Sequence, residues 1–324
     1  MKPDLMYVSD TDPGITRRKY GKGFRYIDHK GQSIECHDEL SRIRSLAVPP
    51  AYRNVWICPL TNGHLQATGL DDLGRKQYRY HQHWTEFRSL EKFDGLSAFG
   101  SGLPKVRRKI EKILSNARRD EIFGKEVALA LLVRLMDHTA MRVGGRSRTS
   151  QGATTLLIRN VKFGNGILKL NYTAKGGKKV QSTVSDRRLQ KILEKIHDLP
   201  GKRLFQYIGQ DGEVHPLDSG DVNNWLKSVT GQDNVSAKMF RTWHGSTAAL
   251  EALRISDKAT IKIACEAASH ILCNTPAIAR KSYVHPRVLQ LPERGNARHA
   301  INQLAVKKVR GLNAAEQRLL GLLD

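Results

Sequence analysis

Over roughly the first 85 residues the apolar positions come in short runs, at 24–27, 54–58, 65–68 and 77–80, set apart by Gly, Asp and Pro, as in short strands joined by turns. One stretch breaks the pattern: residues 37–46 carry Leu40, Ile43 and Leu46 at helical spacing and run into Pro49-Pro50, which cannot continue a helix. From about residue 86 the spacing becomes helical, first with Val106, Ile110, Ile113 and Leu114 in a segment otherwise rich in Lys and Arg. Residues 125–141 are apolar nearly all round and predict a buried helix that stops at Gly144-Gly145, leaving Arg142 where it emerges. Residues 167–175 and 178–184 predict a β-hairpin closed by a Gly176-Gly177 loop, with Lys175 at its tip. Helices resume around Leu189, Ile192, Leu193 and Ile196, around Val222, Trp225, Leu226 and Val229, and through the Ala-rich stretches 245–253 and 257–272. Thr275-Pro276 supplies an N-cap followed by proline at the first helical position, and His285-Pro286 closes the segment, so Tyr283 is expected on a short helix. Another helix or pair of helices is expected over 301–323. The expectation is an α+β protein, with a small β-rich amino-terminal domain over 1–88 and a larger, mainly helical domain with one hairpin over 89–324.

Charge changes the picture next. Against 31 Asp and Glu stand 54 Lys and Arg, a net +23 over 324 residues, which calls for a polyanionic partner. Nucleic acid is the commonest, because each neutralised phosphate releases condensed counterions and a long basic surface sums many such contacts. The most apolar run, 127–133, is far short of the roughly 20 residues that span a bilayer, and no apolar segment follows Met1-Lys2-Pro3-Asp4 that could act as a secretory signal. A cytoplasmic, nucleoid-associated protein is expected. Cys36, Cys58, Cys265 and Cys273 form no Cys-x-x-Cys pair, so neither a disulfide framework nor a zinc ribbon is expected. His81-x-His83 could present two ligands on one strand face, but no nearby Cys or carboxylate pair completes a metal set.

The candidate chemistry lies in Arg142, Lys175, Lys238-x-x-Arg241, Asn274-Thr275-Pro276 and Tyr283. Singly, each reads as a solvated charge or a core tyrosine; their combination and order carry the information. Together with residues 63–69 (GHLQATG) and 74–81 (GRKQYRYH), they make the chain resemble the type IB DNA topoisomerases, in particular the small bacterial and poxvirus-like branch, over nearly its whole length. That resemblance implies the DNA breaking-rejoining enzyme fold in the larger domain and a smaller domain that closes over DNA. It also implies a monomeric clamp on duplex DNA that relaxes supercoils by transient single-strand cleavage.

The resemblance further implies that Tyr283 attacks a backbone phosphorus, giving a 3′-phosphotyrosyl link and a free 5′-hydroxyl that later reseals the strand. Arg142 and Arg241 would hold the non-bridging oxygens, Lys175 would protonate the leaving 5′-oxygen, and Lys238 would assist. A phenol of pKa about 10 is a poor nucleophile at neutral pH, so transition-state electrostatics must supply the rate. One ester is exchanged for another of similar type, so neither ATP nor a metal nor another cofactor is expected, and no Gly-Lys-Ser phosphate loop is found. Arg75, Lys76, Gln77, Tyr78 and Tyr80, with Gly144 beside Arg142, are candidate DNA contacts. Two departures stand out. Asn274 occupies the position where many members carry His, and can donate a hydrogen bond but no charge, with His270 a remote substitute. Gly145, Arg146 and Arg148 stand where acidic and aromatic residues are usual. A tyrosine recombinase shares the Arg, Lys, Arg and Tyr set, but Lys238 stands where recombinases typically carry His, the first domain reads as β, and no exchangeable carboxyl-terminal segment is evident. A basic DNA-compaction protein would need the charge and not the tyrosine.

Overall fold

The computed structural model describes residues 3–91, 93–117, 122–145, 150–306 and 308–324. Contacts gather them into two compact units, Met1–Lys92 and Phe93–Asp324. The first is an antiparallel sheet in the order β2-β1-β3-β4-β5, made of β1 (Ile15–Tyr20), β2 (Gly23–Ile27), β3 (Arg53–Ile57), β4 (Leu65–Leu70) and β5 (Lys76–Tyr80). Ile15, Val55, Ile57 and Ala67 pack with Ile43 of helix α1 (His37–Ser45) to form its core. Arg42 pins α1 down by donating to Glu39, to Gln66 Oε1 and to the Cys58 carbonyl. Four of these strands and α1 fall where the pattern placed them. Strand β1 was not legible, because only Ile15 of its six residues is buried, and a strand exposed on both faces has no alternation to read. Pairing with β2, from Thr16 opposite Ile27 to Tyr20 opposite Gly23, holds it instead. Helix α2 (Gln82–Glu91) starts a turn before the expected change to helix.

In the second unit the helices are α3 (Leu96–Asn116), α4 (Lys125–Thr139), α5 (Arg187–His197), α6 (Ser219–Thr230), α7 (Lys238–Ile255), α8 (Ile261–Leu272), α9 (Pro276–Ser282), α10 (Pro286–Gln290), α11 (Ala297–Asn302) and α12 (Ala314–Leu323). The sheet β6 (Val161–Gly164), β7 (Ile167–Thr173) and β8 (Lys179–Ser185) and the short pair β9 (Gln206–Ile208) and β10 (Val214–Pro216) complete it. Helix α4 is buried from Val127 to Val133 and packs against α3, α5 and α6, which explains its all-round apolarity. No helix among the described residues is long and apolar enough to cross a membrane. Helix α7 packs on α8, α3, α11 and α12. Behind it, Arg107 of α3 donates to Asp137 of α4 (2.7 Å) and to Glu316 of α12 (2.8 Å). His244 Nε2 lies 3.1 Å from Asp137, and Trp243 Nε1 donates to Glu316.

Three local geometries differ from the sequence expectation, and each bears on the site. Helix α4 ends at Thr139 rather than at 141: Ala140 takes a left-handed φ of 49° and turns the chain before Arg142. Pairing of β7 with β8 continues to Ala174, whose amide donates to the Lys178 carbonyl (2.8 Å), so the loop is Lys175-Gly176-Gly177 rather than the two glycines alone. Both glycines have positive φ, 84° and 76°, and Lys175 remains at the exposed tip. Tyr283 lies just past α9 as its C-cap, not within the helix.

Candidate active site

Arg241 is buried on the first turn of α7. Its Nη1 donates to the Ala140 carbonyl (2.6 Å) and its Nη2 to the Leu272 carbonyl (3.0 Å), so the left-handed turn after α4 and the end of α8 fix both arms of the guanidinium. The guanidinium carbon lies 4.7 Å from the Tyr283 ring centroid. Its Nε is buried without a hydrogen-bond partner among the described residues. Both side-chain polar atoms of Asn274 share that condition. Because buried polar groups are nearly always satisfied, unpaired atoms on Arg241, which bonds to the Leu272 carbonyl, and on Asn274 two residues further along point to a group from outside the chain.

Each residue arrives by a local device. Thr275 Oγ1 accepts from Ile278 N–H and Pro276 sits at the first helical position, which starts α9 as the sequence suggested. Asn274 lies nine positions before Tyr283, and α9 spans most of the gap. The Tyr283 amide donates to the Ala279 carbonyl (2.9 Å). Its carbonyl accepts from the hydroxyl of Ser246 on α7 (3.1 Å), and the same Ser246 oxygen accepts the His285 amide (2.9 Å). Ser246 is fully buried and bridges the chain on either side of Val284 to the helix that carries Arg241. Beside it, a Cβ on Gly245 would meet Leu272 Cδ1 at 2.8 Å, so the absence of a side chain lets α8 approach. Sequence reasoning missed this Gly245-Ser246 pair, whose signal is two small residues four and five positions after Arg241, directly after the bulky Trp243-His244.

Burial alone would raise the Tyr283 phenol, but the Arg241 guanidinium, with Arg142 and Lys238, reverses that and holds it below its ordinary value. Burial also lowers Arg241 from its ordinary value. Tyr172 of β7 is a further residue the sequence did not single out: burial pushes it up to about 12, against the opposing charges of Arg241 and Arg142. His285 is pushed down to about 4, chiefly by burial, and its Nδ1 accepts the Arg287 amide, so it is neutral at physiological pH and caps α10.

The structure therefore brings Tyr283, Arg241, Arg142 and Lys238 together, and Asn274 follows the end of α8 whose Leu272 carbonyl binds Arg241. Lys238 is exposed at the start of α7. Lys175 is exposed at the hairpin tip, and no hydrogen bond or ion pair ties it to Tyr283, Arg142 or Arg241 among the described residues. The hairpin meets this region through Lys178, whose Nζ donates to the Asn274 carbonyl (3.4 Å). His270 is exposed one turn back on α8. The turn carrying Arg142 is held by its own backbone: the carbonyls of Arg142 and Val143 accept the amides of Ala153 and Thr154. Gly144 has φ 107°, and a Cβ there would meet Thr154 Oγ1 at 2.6 Å, so the turn itself requires glycine. Gly145 is exposed, and Arg146 and Arg148 lie outside the described residues.

The other candidates lie on β5 of the first unit. Lys76, Tyr78 and Tyr80 alternate with Gln77 and Arg79, and the Tyr78 and Tyr80 rings are exposed and stacked at 5.9 Å. Lys76 pairs with Asp10, while Arg75 and Gln77 both donate to Asp71, holding that carboxyl at about 2. The rings of His81 and His83 lie edge to face at 5.0 Å, and no group of His, Cys, Asp and Glu arranged to hold a metal occurs among the described residues.

A sheet-based unit followed by a helical unit that gathers a tyrosine, two arginines and a lysine at one point defines the class: an α+β protein built for phosphoryl transfer through tyrosine. The chain belongs to the DNA topoisomerase I family, for residues 81–304 match the family model of the eukaryotic DNA topoisomerase I catalytic core and residues 23–71 that of the bacterial DNA topoisomerase IB N-terminal domain. It is 29% identical over 297 residues to DNA topoisomerase 1B of Acanthamoeba polyphaga mimivirus, with 86% of this chain and 87% of that protein covered. Its function is that of a type IB DNA topoisomerase. Among solved structures, the XerH site-specific recombinase bound to palindromic difH substrate, post-cleavage, superposes with a TM-score of 0.40 at 18% identity, covering 60% of this chain and 50% of that one. The pre-cleavage XerH complex gives 0.36 at 20% identity, over 58% and 52%.

Proposed function

We propose that Tyr283 is the nucleophile by which this topoisomerase cuts one strand of duplex DNA. The observation that carries the assignment is the buried, unpartnered Arg241 Nε and Asn274 amide beside a tyrosine stacked on the same guanidinium. A phosphodiester placed there would satisfy these donors with its non-bridging oxygens, and Arg142 would supply a second permanently charged guanidinium. Because the site is fixed by backbone carbonyls at Ala140 and Leu272, its charge is preorganised and does not reorient as the pentacoordinate phosphorus forms.

In the cleavage step Tyr283 Oη bonds to phosphorus, the bond to the 5′-oxygen breaks, and that oxygen takes a proton from Lys175. The tyrosine proton passes to solvent or to Lys238. Religation runs the same steps in reverse, with the 5′-hydroxyl attacking the 3′-phosphotyrosyl link. Ester replaces ester, so the exchange is driven without ATP or a metal ion. Lys175 reaches the leaving oxygen when the hairpin settles on bound DNA, its two glycines giving the tip the freedom to do so. The chain works as a monomer on duplex DNA in the cytoplasm, at the nucleoid.

Relaxation of supercoiled plasmid in EDTA without ATP tests this, with denaturant trapping of any covalent complex. Wild type should relax the plasmid and form a 3′-linked adduct, and Tyr283→Phe should lose both while still binding DNA. Relaxation that survives in Tyr283→Phe would overturn the assignment. Gel filtration of the DNA complex at a mass above one chain per duplex would overturn the monomer.

A further inference from the structure

The hairpin formed by β1 and β2 has a charge arrangement that no acidic group among the described residues of its unit neutralises. From Ile15 to Ile27 there is no acidic residue and there are five cations, Arg17, Arg18, Lys19, Lys22 and Arg25. The antiparallel register sets Arg18 directly opposite Arg25. Directly opposed side chains on one face of a sheet stand about 5 Å apart, and like charges there destabilise the pairing. Both side chains are exposed, and neither they nor Lys19 or Lys22 form an ion pair among the described residues. Cations elsewhere in the same unit do pair: Lys76 with Asp10, Arg75 with Asp71, Arg42 with Glu39, Arg88 with Glu91.

The hairpin is also held rigid. Arg17 donates to the carbonyls of Val48, Pro49 and Tyr52 and lies 4.3 Å over the Phe24 ring, which anchors one face. On the other face Tyr20 is 62% exposed and Arg25 stacks 4.1 Å from its centroid, so the guanidinium is presented flat and its rim of donors is open. Pairing of β1 with β3 stops at Thr16, so the rest of the hairpin projects beyond the sheet as a two-stranded ribbon.

We propose that this ribbon is a second DNA-binding element, gripping the phosphate backbone of the duplex through Arg18, Arg25 and Lys22 without reading its sequence. Phosphates supply the counter-charge that the opposed arginines lack, Arg25 and Tyr20 form a flat donor surface against the backbone, and Lys22 reaches out from the turn. The inference rests on the DNA-relaxing function of the chain but not on the assignment of Tyr283.

The test measures noncovalent binding of a duplex to protein carrying Tyr283→Phe, as a function of salt, with and without Arg18→Gln, Lys22→Gln and Arg25→Gln together. Each lost phosphate contact should make the plot of log K against log salt shallower by about 0.9, so the triple variant should lose about two to three units of slope. At physiological salt its affinity should fall about tenfold to a hundredfold. Single-turnover cleavage by the same triple variant with Tyr283 restored, at saturating protein, should stay within about twofold of wild type. Arg18→Glu separates binding from folding: it places opposite charges across the strands, so melting temperature should hold or rise while DNA affinity drops. An unchanged slope and affinity in the triple variant, or undiminished binding by Arg18→Glu, would overturn the proposal. Failure of wild type itself to cleave would instead strike at the catalytic assignment and leave the binding result standing.

Discussion

Replacing Ser246 by Ala removes one oxygen that serves two backbone groups, the Tyr283 carbonyl at 3.1 Å and the His285 amide at 2.9 Å. Ser246 is fully buried, so water does not simply take over. A buried polar group left unsatisfied costs about 1–3 kcal/mol, and the two together put the expected loss of stability at about 2–6 kcal/mol. For a protein of this size that is a fall in melting temperature of roughly 5–20 °C, which leaves the protein folded at 25 °C. The larger consequence is kinetic. Without Ser246 the Tyr283 backbone keeps its amide bond to Ala279 but loses its tie to α7, the helix that carries Arg241. A misplacement of about 1 Å costs on the order of a hundredfold in rate, so single-turnover cleavage should slow by about tenfold to a hundredfold. Duplex affinity, measured in the Tyr283→Phe background, should not change, because Ser246 is buried. The assay is therefore paired: cleavage rate at saturating protein and 25 °C, beside melting temperature and noncovalent affinity. Cleavage within twofold of wild type despite a lowered melting temperature would make Ser246 a structural residue only and refute the reasoning. A loss of rate that merely tracks a loss of affinity would refute it too.

Asn274→Ala should slow cleavage by about twofold to tenfold, the value of one neutral hydrogen bond, whereas Asn274→His should cleave faster at pH 6 than at pH 8, since imidazole gains its charge near pH 6.5; identical pH profiles for Asn274→His and wild type would count against a phosphate contact there. Lys175→Ala should slow cleavage by about a hundredfold or more on an ordinary duplex. It should recover most of that rate on a duplex with a bridging 5′-sulfur, because a thiolate leaves without a proton; no recovery would remove Lys175 from the proton transfer. Burial works against it, but His244 and Arg107 hold the Asp137 carboxyl below its ordinary value, and Glu316 is likewise lowered. Groups whose pKa is depressed on folding stabilise the protein above their unfolded pKa, about 4, and lose that contribution as pH falls through the folded value. Thermal melts should therefore drop steadily below about pH 5, and Arg107→Ala should cost about 3–5 kcal/mol at pH 7 by taking from both carboxylates the guanidinium they share, leaving Asp137 with His244 and Glu316 with Trp243 and Asn313; a melting temperature at pH 7 unchanged in Arg107→Ala would contradict this.

Much of the molecule was legible from residue order. Periodicity sufficed for α4, because a helix buried on all sides is apolar on all sides, and for β7 and β8, where alternate residues face the core. Thr275-Pro276 marked the start of α9 through backbone chemistry that acts over a few residues, whereas His285-Pro286 opens α10 and α9 already ends at Ser282. Tyr283, Arg142, Arg241 and Asn274 could be named as candidates because their residue types and order are visible in the sequence, whatever surrounds them. Strand β1 could not be read, since its order comes from partners and not from its own pattern. Nor could the early end of α4 at Ala140, whose left-handed turn is secured by Arg241, a hundred and one residues further along. The clamp of Ser246 on Tyr283 and the unpartnered Arg241 Nε belong to the same kind of fact. Sequence determines which groups are available and which local segments bend or coil, because those depend on near neighbours. Which buried polar atom is left without a partner depends on every other donor having found its acceptor, and only the folded chain decides that.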